Sequence, residues 1–178
     1  MLLAWSESKR SGQYRTSQRN HGGSSMQEAA HIRWMIRRDM PTVMAIETDS
    51  FEFPYTEDEM ILMLRNRNVI GMVAEVGEQV VGYMIYELFK ERLYIHSLAV
   101  ASTYRFQKVG TTMLEKLVGK LAPQRRNRII LHVREKNLAA QLFFRASGFR
   151  ADVDPYFEYQ NGESAYRFTY RIHVQQEA

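Results

Sequence analysis

The chain has 178 residues, 45% of them hydrophobic and 25% charged, with a formal net charge of +4 and no cysteine. That length suits one domain with a real core, and the apolar content argues against a disordered chain. The missing cysteine excludes a disulfide framework, a thiolate metal site and a thiol nucleophile. No metal is expected.

Residues 1–26 are rich in Ser, Gly, Arg, Asn and Gln and show no periodicity, so they read as a disordered basic tail. Residues 1–25 hold Lys9, Arg10, Arg15 and Arg19 against Glu7, a net of +3, which leaves +1 for the rest. Basicity thus sits in the tail, and no direct contact with nucleic acid is expected of the domain. A ribosome-contacting arm and a start at Met26 are both open for this segment. No apolar run reaches membrane-span length, and the opening Met-Leu-Leu-Ala-Trp is too short for a signal-peptide core. No membrane contact and a cytoplasmic place are the expectation, as a monomer or dimer.

The domain proper is read as 27–178. Alternation over 31–37 predicts a first strand. Asp39 followed by Pro41 predicts a helix start, with Asp39 as N-cap and Met40, Val43, Met44 and Ile46 turned inward. An aromatic loop follows: Phe51, Phe53 and Tyr55. Thr56 and Glu59 form a capping box for a second helix carrying Met60, Ile61, Met63 and Leu64. Strands are predicted over 69–76 and 80–88, joined by a hairpin turn, and then over 93–100. A short basic loop, Arg105 to Gly110, opens a helix on which Met113, Leu114, Leu117, Val118 and Leu121 share a face. Such a joint offers backbone N–H groups and the positive dipole end to an anion, a diphosphate being the natural candidate, although an ordinary strand-loop-helix connection has the same outline. A strand over 128–134 places Ile130, His132 and Arg134 on the face opposite Ile129, Leu131 and Val133. Asn137 caps a last helix whose Leu138, Ala139, Leu142, Phe143 and Ala146 are expected inside, and Gly148 ends it. Two strands, 149–157 and 164–174, close the chain around a turn at Asn161-Gly162.

The order β-α-α-β-β-β-α-β-α-β-β predicts a mixed α/β fold, with antiparallel hairpins around a parallel centre. Val100, Arg105 and Gly110 resemble the acyl-CoA signature of GNAT-superfamily N-acetyltransferases, a Val followed by [RQ]-x-x-G-x-[GA]. Lys108 stands where the first glycine belongs. Asn137-Leu138-Ala139-Ala140 through Gly148-Phe149 resembles the family's second cofactor segment. The element order is that of the GNAT acyl-CoA N-acyltransferase fold. The aromatic loop and the strand pair resemble the RimI branch, the ribosomal-protein alanine N-acetyltransferases.

The resemblance implies acetyl-CoA as cosubstrate and a protein N-terminal amine as acceptor, with a small-molecule amine or lysine as alternative, or an acyl-CoA-binding module without turnover. It implies that backbone groups of Leu98, Ala99 and Val100 hold the pantetheine arm and polarise the thioester. Arg105, Phe106, Gln107, Lys108, Val109, Gly110 and Thr111 would hold the diphosphate, and Asn137 and Phe144 would lie along the cofactor. The branch carries a glutamate base five residues before the Asn; here that place is His132. A histidine near pKa 6.5 can accept a proton from an α-amine of pKa about 7.7–8.0. The branch's acid tyrosine is replaced by Phe144, which cannot donate, so Tyr156 is the substitute candidate, with His96 a further one. Phe53 and Tyr55 would meet the acceptor.

Overall fold

The structure is a computed structural model that describes residues 29–158 and 162–172. The side chains of Pro155, Tyr156 and Glu158 lie outside that description, as does the tail reading of 1–26. The strands are β1 (His31–Trp34), β2 (Val69–Val76), β3 (Gln79–Leu88), β4 (Arg92–Val100), β5 (Arg128–Arg134), β6 (Arg150–Glu158) and β7 (Ser164–Arg171). The helices are α1 (Met40–Ser50), α2 (Glu57–Leu64), α3 (Val109–Val118) and α4 (Leu138–Ala146). The strands form one seven-stranded sheet in the order β1-β2-β3-β4-β5-β7-β6. Neighbours run antiparallel except β4 and β5, which are parallel. The predicted order and the parallel centre are both present.

β3 is buried along nearly its whole length, as a central strand covered on both faces must be. Two cap predictions differ in outcome. Thr56 accepts from the Glu59 N–H at 3.3 Å while the Glu59 carboxylate accepts from the Thr56 N–H at 2.8 Å, so the capping box opens α2. Asp39 does not cap α1: its carboxylate accepts from the Ile36 N–H at 2.8 Å and from Arg33 at 2.6 Å. A short 3-10 turn over 37–39 intervenes between β1 and α1 and claims that carboxylate.

Two helix faces need correction. α3 buries Met113, Leu114 and Leu117, but it ends at Val118, so Leu121 lies beyond it. In α4 the buried positions are Ala140 and Phe144, with Phe143 partly covered, while Leu138 and Leu142 are 63% and 56% exposed. Nearly every turn of α4 carries apolar residues on two sides, so period alone does not choose the stripe. The choice is made by Phe149 and Phe168, whose rings lie 5.3 and 6.0 Å from that of Phe144. Gly148 ends α4 at φ 88°, as predicted. No helix among the described residues is long and apolar enough to cross a membrane.

Candidate active site

β4 and β5 pair at only three positions: Arg92 with Arg128, Leu93 with Ile129, and Tyr94 with Ile130. Both strands continue, to Val100 and Arg134, without pairing further. The sheet therefore opens into a wedge between their C-terminal halves. Along the wedge β4 stays zipped to β3, with Ala99 opposite Tyr83 and Leu98 opposite Met84. Backbone groups alternate in direction along a strand. The Ala101 N–H donates to Val81 in β3, so the carbonyl of Val100 and the polar groups of Leu98 point the other way, into the wedge.

Above the wedge sits the basic loop. Phe106 and Lys108 both have φ 64°, the left-handed region that non-glycine residues rarely enter. Lys108 thus takes up the conformation that a glycine at its position would supply. Followed by the right-handed Val109, it makes a backbone nest whose successive N–H groups converge on one concavity. Among the described residues, the N–H groups of Lys108, Val109, Gly110 and Thr111 meet no backbone acceptor. Gly110 also lets α3 approach α4, since a Cβ there would come within 3.1 Å of the Phe143 ring. Unpaired amides at a helix start, opening onto a wedge between strands, fit a diphosphate with an extended arm.

The Lys108 conformation is strained for any residue with a Cβ and most of all for a β-branched one. Lys108→Val is expected to lower stability by about 1–2 kcal/mol, and Lys108→Gly to leave it unchanged or raise it. Urea unfolding of the two variants beside the parent measures this.

The side chain of Arg105 turns away from the nest: Nε donates to the Val100 carbonyl at 3.0 Å and a terminal nitrogen donates to Ser50 Oγ at 3.1 Å. It ties the loop to β4 and to the end of α1. Asn137 caps α4, its Oδ1 accepting from the Ala140 N–H at 3.1 Å. Phe144 is fully buried among aromatic rings and offers no surface to a ligand, which removes it from the cofactor-lining set. Its neighbour Phe143 is the ring that meets Gly110.

On the β5 wall of the wedge, His132 is almost buried. Nδ1 lies 3.0 Å from the Tyr94 hydroxyl, Nε2 lies 3.1 Å from Asp154 Oδ2, and the ring stacks on Phe157 at 3.9 Å. A carboxylate can only accept, so the tautomer these partners select has its proton on Nε2, donated to Asp154. Nδ1 is then the acceptor of the Tyr94 O–H. Burial pulls the His132 pKa below its ordinary value, with Asp154 opposing that shift. Burial raises the Tyr94 hydroxyl well above the usual phenol range. Tyr94 is the last β4 residue paired with β5, so its ring stands at the point where the wedge opens.

Neither Tyr94 nor Asp154 was anticipated from the sequence. Tyr94 shares its strand face with His96, and Asp154 precedes a proline; those were the only local signals. His96 is held elsewhere, with Nε2 2.9 Å from Glu87 across β3 and β4. Tyr156 belongs to β6, and its side chain lies outside the described residues. The aromatic loop does reach the site: the Arg134 guanidinium stands 5.1 Å from the Phe53 ring centre. Tyr55 is partly covered, its hydroxyl pushed up to about 12 by burial.

A second buried polar group lies behind the wedge. Glu47 of α1 is 1% exposed. Its carboxylate accepts from the Tyr83 hydroxyl, from the Tyr55 N–H at 2.8 Å and from Ser97 Oγ at 3.5 Å. Burial raises its pKa, against the pull of these donors. Through Tyr55 it anchors the aromatic loop, and through Tyr83 and Ser97 it is fastened to β3 and β4.

Comparison with known proteins agrees with this geometry. The human protein N-alpha-acetyltransferase 30 is 27% identical over 142 residues, which cover 77% of this chain and 39% of that protein. The chain therefore spans about two-fifths of the length of that relative. A putative [ribosomal protein bS18]-alanine N-acetyltransferase of Bacillus subtilis is 28% identical over 142 residues, 79% of this chain and 94% of that one. The structure of Arabidopsis thaliana NAA60 in complex with acetyl-CoA superposes with a TM-score of 0.69 at 17% identity, over 81% of this chain and 100% of that one. The family described as acetyltransferase (GNAT) matches residues 40–149. With the wedge, the nest and that match together, the chain belongs to the GNAT acetyltransferase family.

Proposed function

We propose that this chain transfers an acetyl group from acetyl-CoA to the N-terminal α-amine of a polypeptide, with both substrates bound at once. The observation that carries this reading is the wedge between β4 and β5, with free nest amides at its head and the Tyr94–His132–Asp154 chain on its wall.

Acetyl-CoA supplies the activated thioester carbonyl. The N–H groups of Lys108 to Thr111 receive the diphosphate, and the wedge-facing backbone of Leu98 and Val100 lines the pantetheine arm. Donors aimed at the thioester oxygen favour the charge that builds there.

The amine must be neutral when it attacks. Tyr94 donates to His132 Nδ1, so its oxygen keeps a lone pair for the amine's proton. As that proton arrives, the phenol proton moves to Nδ1. The imidazolium that results is balanced by the Asp154 carboxylate on Nε2. A histidine held at or below 6.5 matches an α-amine of pKa about 7.7–8.0 better than a lysine amine of about 10.4. The Phe53–Tyr55 loop, anchored through Glu47, supplies a side for the acceptor peptide.

Saturating CoA is expected to stabilise the fold by mass action, about 2.7 kcal/mol at a hundredfold excess over Kd, which is about 5–10 °C in Tm. Mass spectrometry of a peptide panel incubated with acetyl-CoA should find the label on the α-amine. An unmoved Tm would reject acyl-CoA binding. Label confined to lysine side chains or polyamines would reject the α-amine acceptor.

A further inference from the structure

Below His132 the same sheet face carries a cluster of guanidiniums that the wedge does not use. The register places Arg128 opposite Arg171, Ile130 opposite Thr169 and His132 opposite Arg167. β6 adds Arg150 opposite Thr169 and Asp152 opposite Arg167. A cavity of about 460 Å³ lies over them, lined by four arginines and a single carboxylate, that of Asp152. Arg167 is satisfied by Asp152 at 3.0 Å and Asp154 at 3.4 Å, and Arg128 by Glu91 at 3.3 Å. Arg150 and Arg171 are exposed and have no acidic partner among the described residues. Like charges directly opposite on neighbouring strands destabilise a sheet. The Arg128–Arg171 pair therefore carries a cost that an anion lying over it would relieve.

The cluster is continuous with the acceptor end of the site. Four residues of extended β5 separate Arg128 from His132, about 13 Å at the rise of a strand. An extended peptide whose amine stands at the Tyr94 hydroxyl, 3.0 Å from His132, reaches that row with about its fourth residue. We propose, on the reading that the acceptor is a polypeptide N-terminus, that this face docks an acidic side chain carried about three to five residues from the acetylated amine. A carboxylate suits the site better than a nucleic-acid backbone. The positive field is confined to one small cavity, acids interrupt it on two sides, and no aromatic ring lines it for a base to stack on.

The test uses two seven-residue peptides with the same first three residues, carrying Glu or Lys at positions four and five. Each is measured for KM with acetyl-CoA and, with a fluorophore at its C-terminus, for binding by anisotropy in the presence of CoA. At low salt the acidic peptide should bind about three- to fivefold more tightly, and high salt should narrow the gap. In an Arg150→Glu/Arg171→Glu double variant the preference should reverse, the lysine peptide becoming the tighter one. Loss of folding cannot produce that gain. Equal binding of the two peptides, or a preference that survives the reversal, would overturn the proposal. So would tight binding of a short single-stranded RNA that the double variant abolishes while the peptides stay unchanged. Charge discrimination in anisotropy without turnover of any α-amine would leave this docking face standing and remove the acetyl-transfer reading. Turnover without discrimination would do the opposite.

Discussion

His132→Ala is expected to lower kcat on an α-amine peptide by about 10²- to 10³-fold, the range for removing a positioned general base. The same variant should lose the rise of rate with pH that tracks deprotonation of the imidazole. That rise should fall below 6.5 in the parent, since burial disfavours the charged ring. Tyr94→Phe removes the relay oxygen and should cost about tenfold or more. Asp154→Asn takes away the anion that supports the imidazolium. The pH at which rate rises should therefore move down, with kcat reduced. A merely structural pair would change stability and leave the pH profile in place. An unchanged profile in His132→Ala, with kcat within threefold of the parent, would reject the relay.

Glu47→Ala should cost about 2–4 kcal/mol of stability, measured by urea unfolding at pH 7. The loss takes the acceptor from the Tyr55 N–H, at about 1–3 kcal/mol for a buried donor, and leaves the Tyr83 hydroxyl to Ser97 Oγ at 2.8 Å, while the space vacated by the buried carboxylate adds a cavity cost. The sign of the pH dependence follows from the raised carboxyl. The folded state holds the proton more tightly than the unfolded chain, whose value is near 4.5. This contribution is complete below pH 4.5 and is lost as pH rises toward the folded value. Glu47→Gln, which does not titrate, should flatten the decline above pH 4.5. A parent curve with no such decline would show that the carboxylate is ionised in the fold without penalty. The KM for peptide should rise in Glu47→Ala as well, because the aromatic loop hangs on that carboxylate through Tyr55.

The chain gave up its local grammar readily. Thr56 and Glu59, Gly148, and the alternation across 128–134 each state their structure within four to seven residues, because caps, left-handed ends and strand faces are short-range physics. The nest was visible as a basic loop before a helix. That Lys108 would enter the left-handed region was not visible, since its conformation is set by how the chain turns from β4 into α3 and not by a lysine's own preference. The α4 stripe was misread for a related reason: two apolar faces compete locally, and Phe149 and Phe168 decide between them. The polar chain on the β5 wall of the wedge was half legible. His132 stood out by its place before Asn137, but Tyr94 is 38 residues away and Asp154 is 22. Only the parallel register of β4 with β5, and the return of β6 beside β7, brings those side chains to one ring. Glu47 had a faint local signal, an acid inside the stripe formed by Val43, Ile46 and Ser50.

Three residue pairs join the two halves of the sheet. Mechanically the protein is two plates riveted along one short edge, with the contact of Gly110 with Phe143 as a clasp at the open end. A long thin molecule seated between the plates would touch both and act as mortar, so occupancy and rigidity should rise together. A donor seated there would set the wall against which an acceptor is aligned.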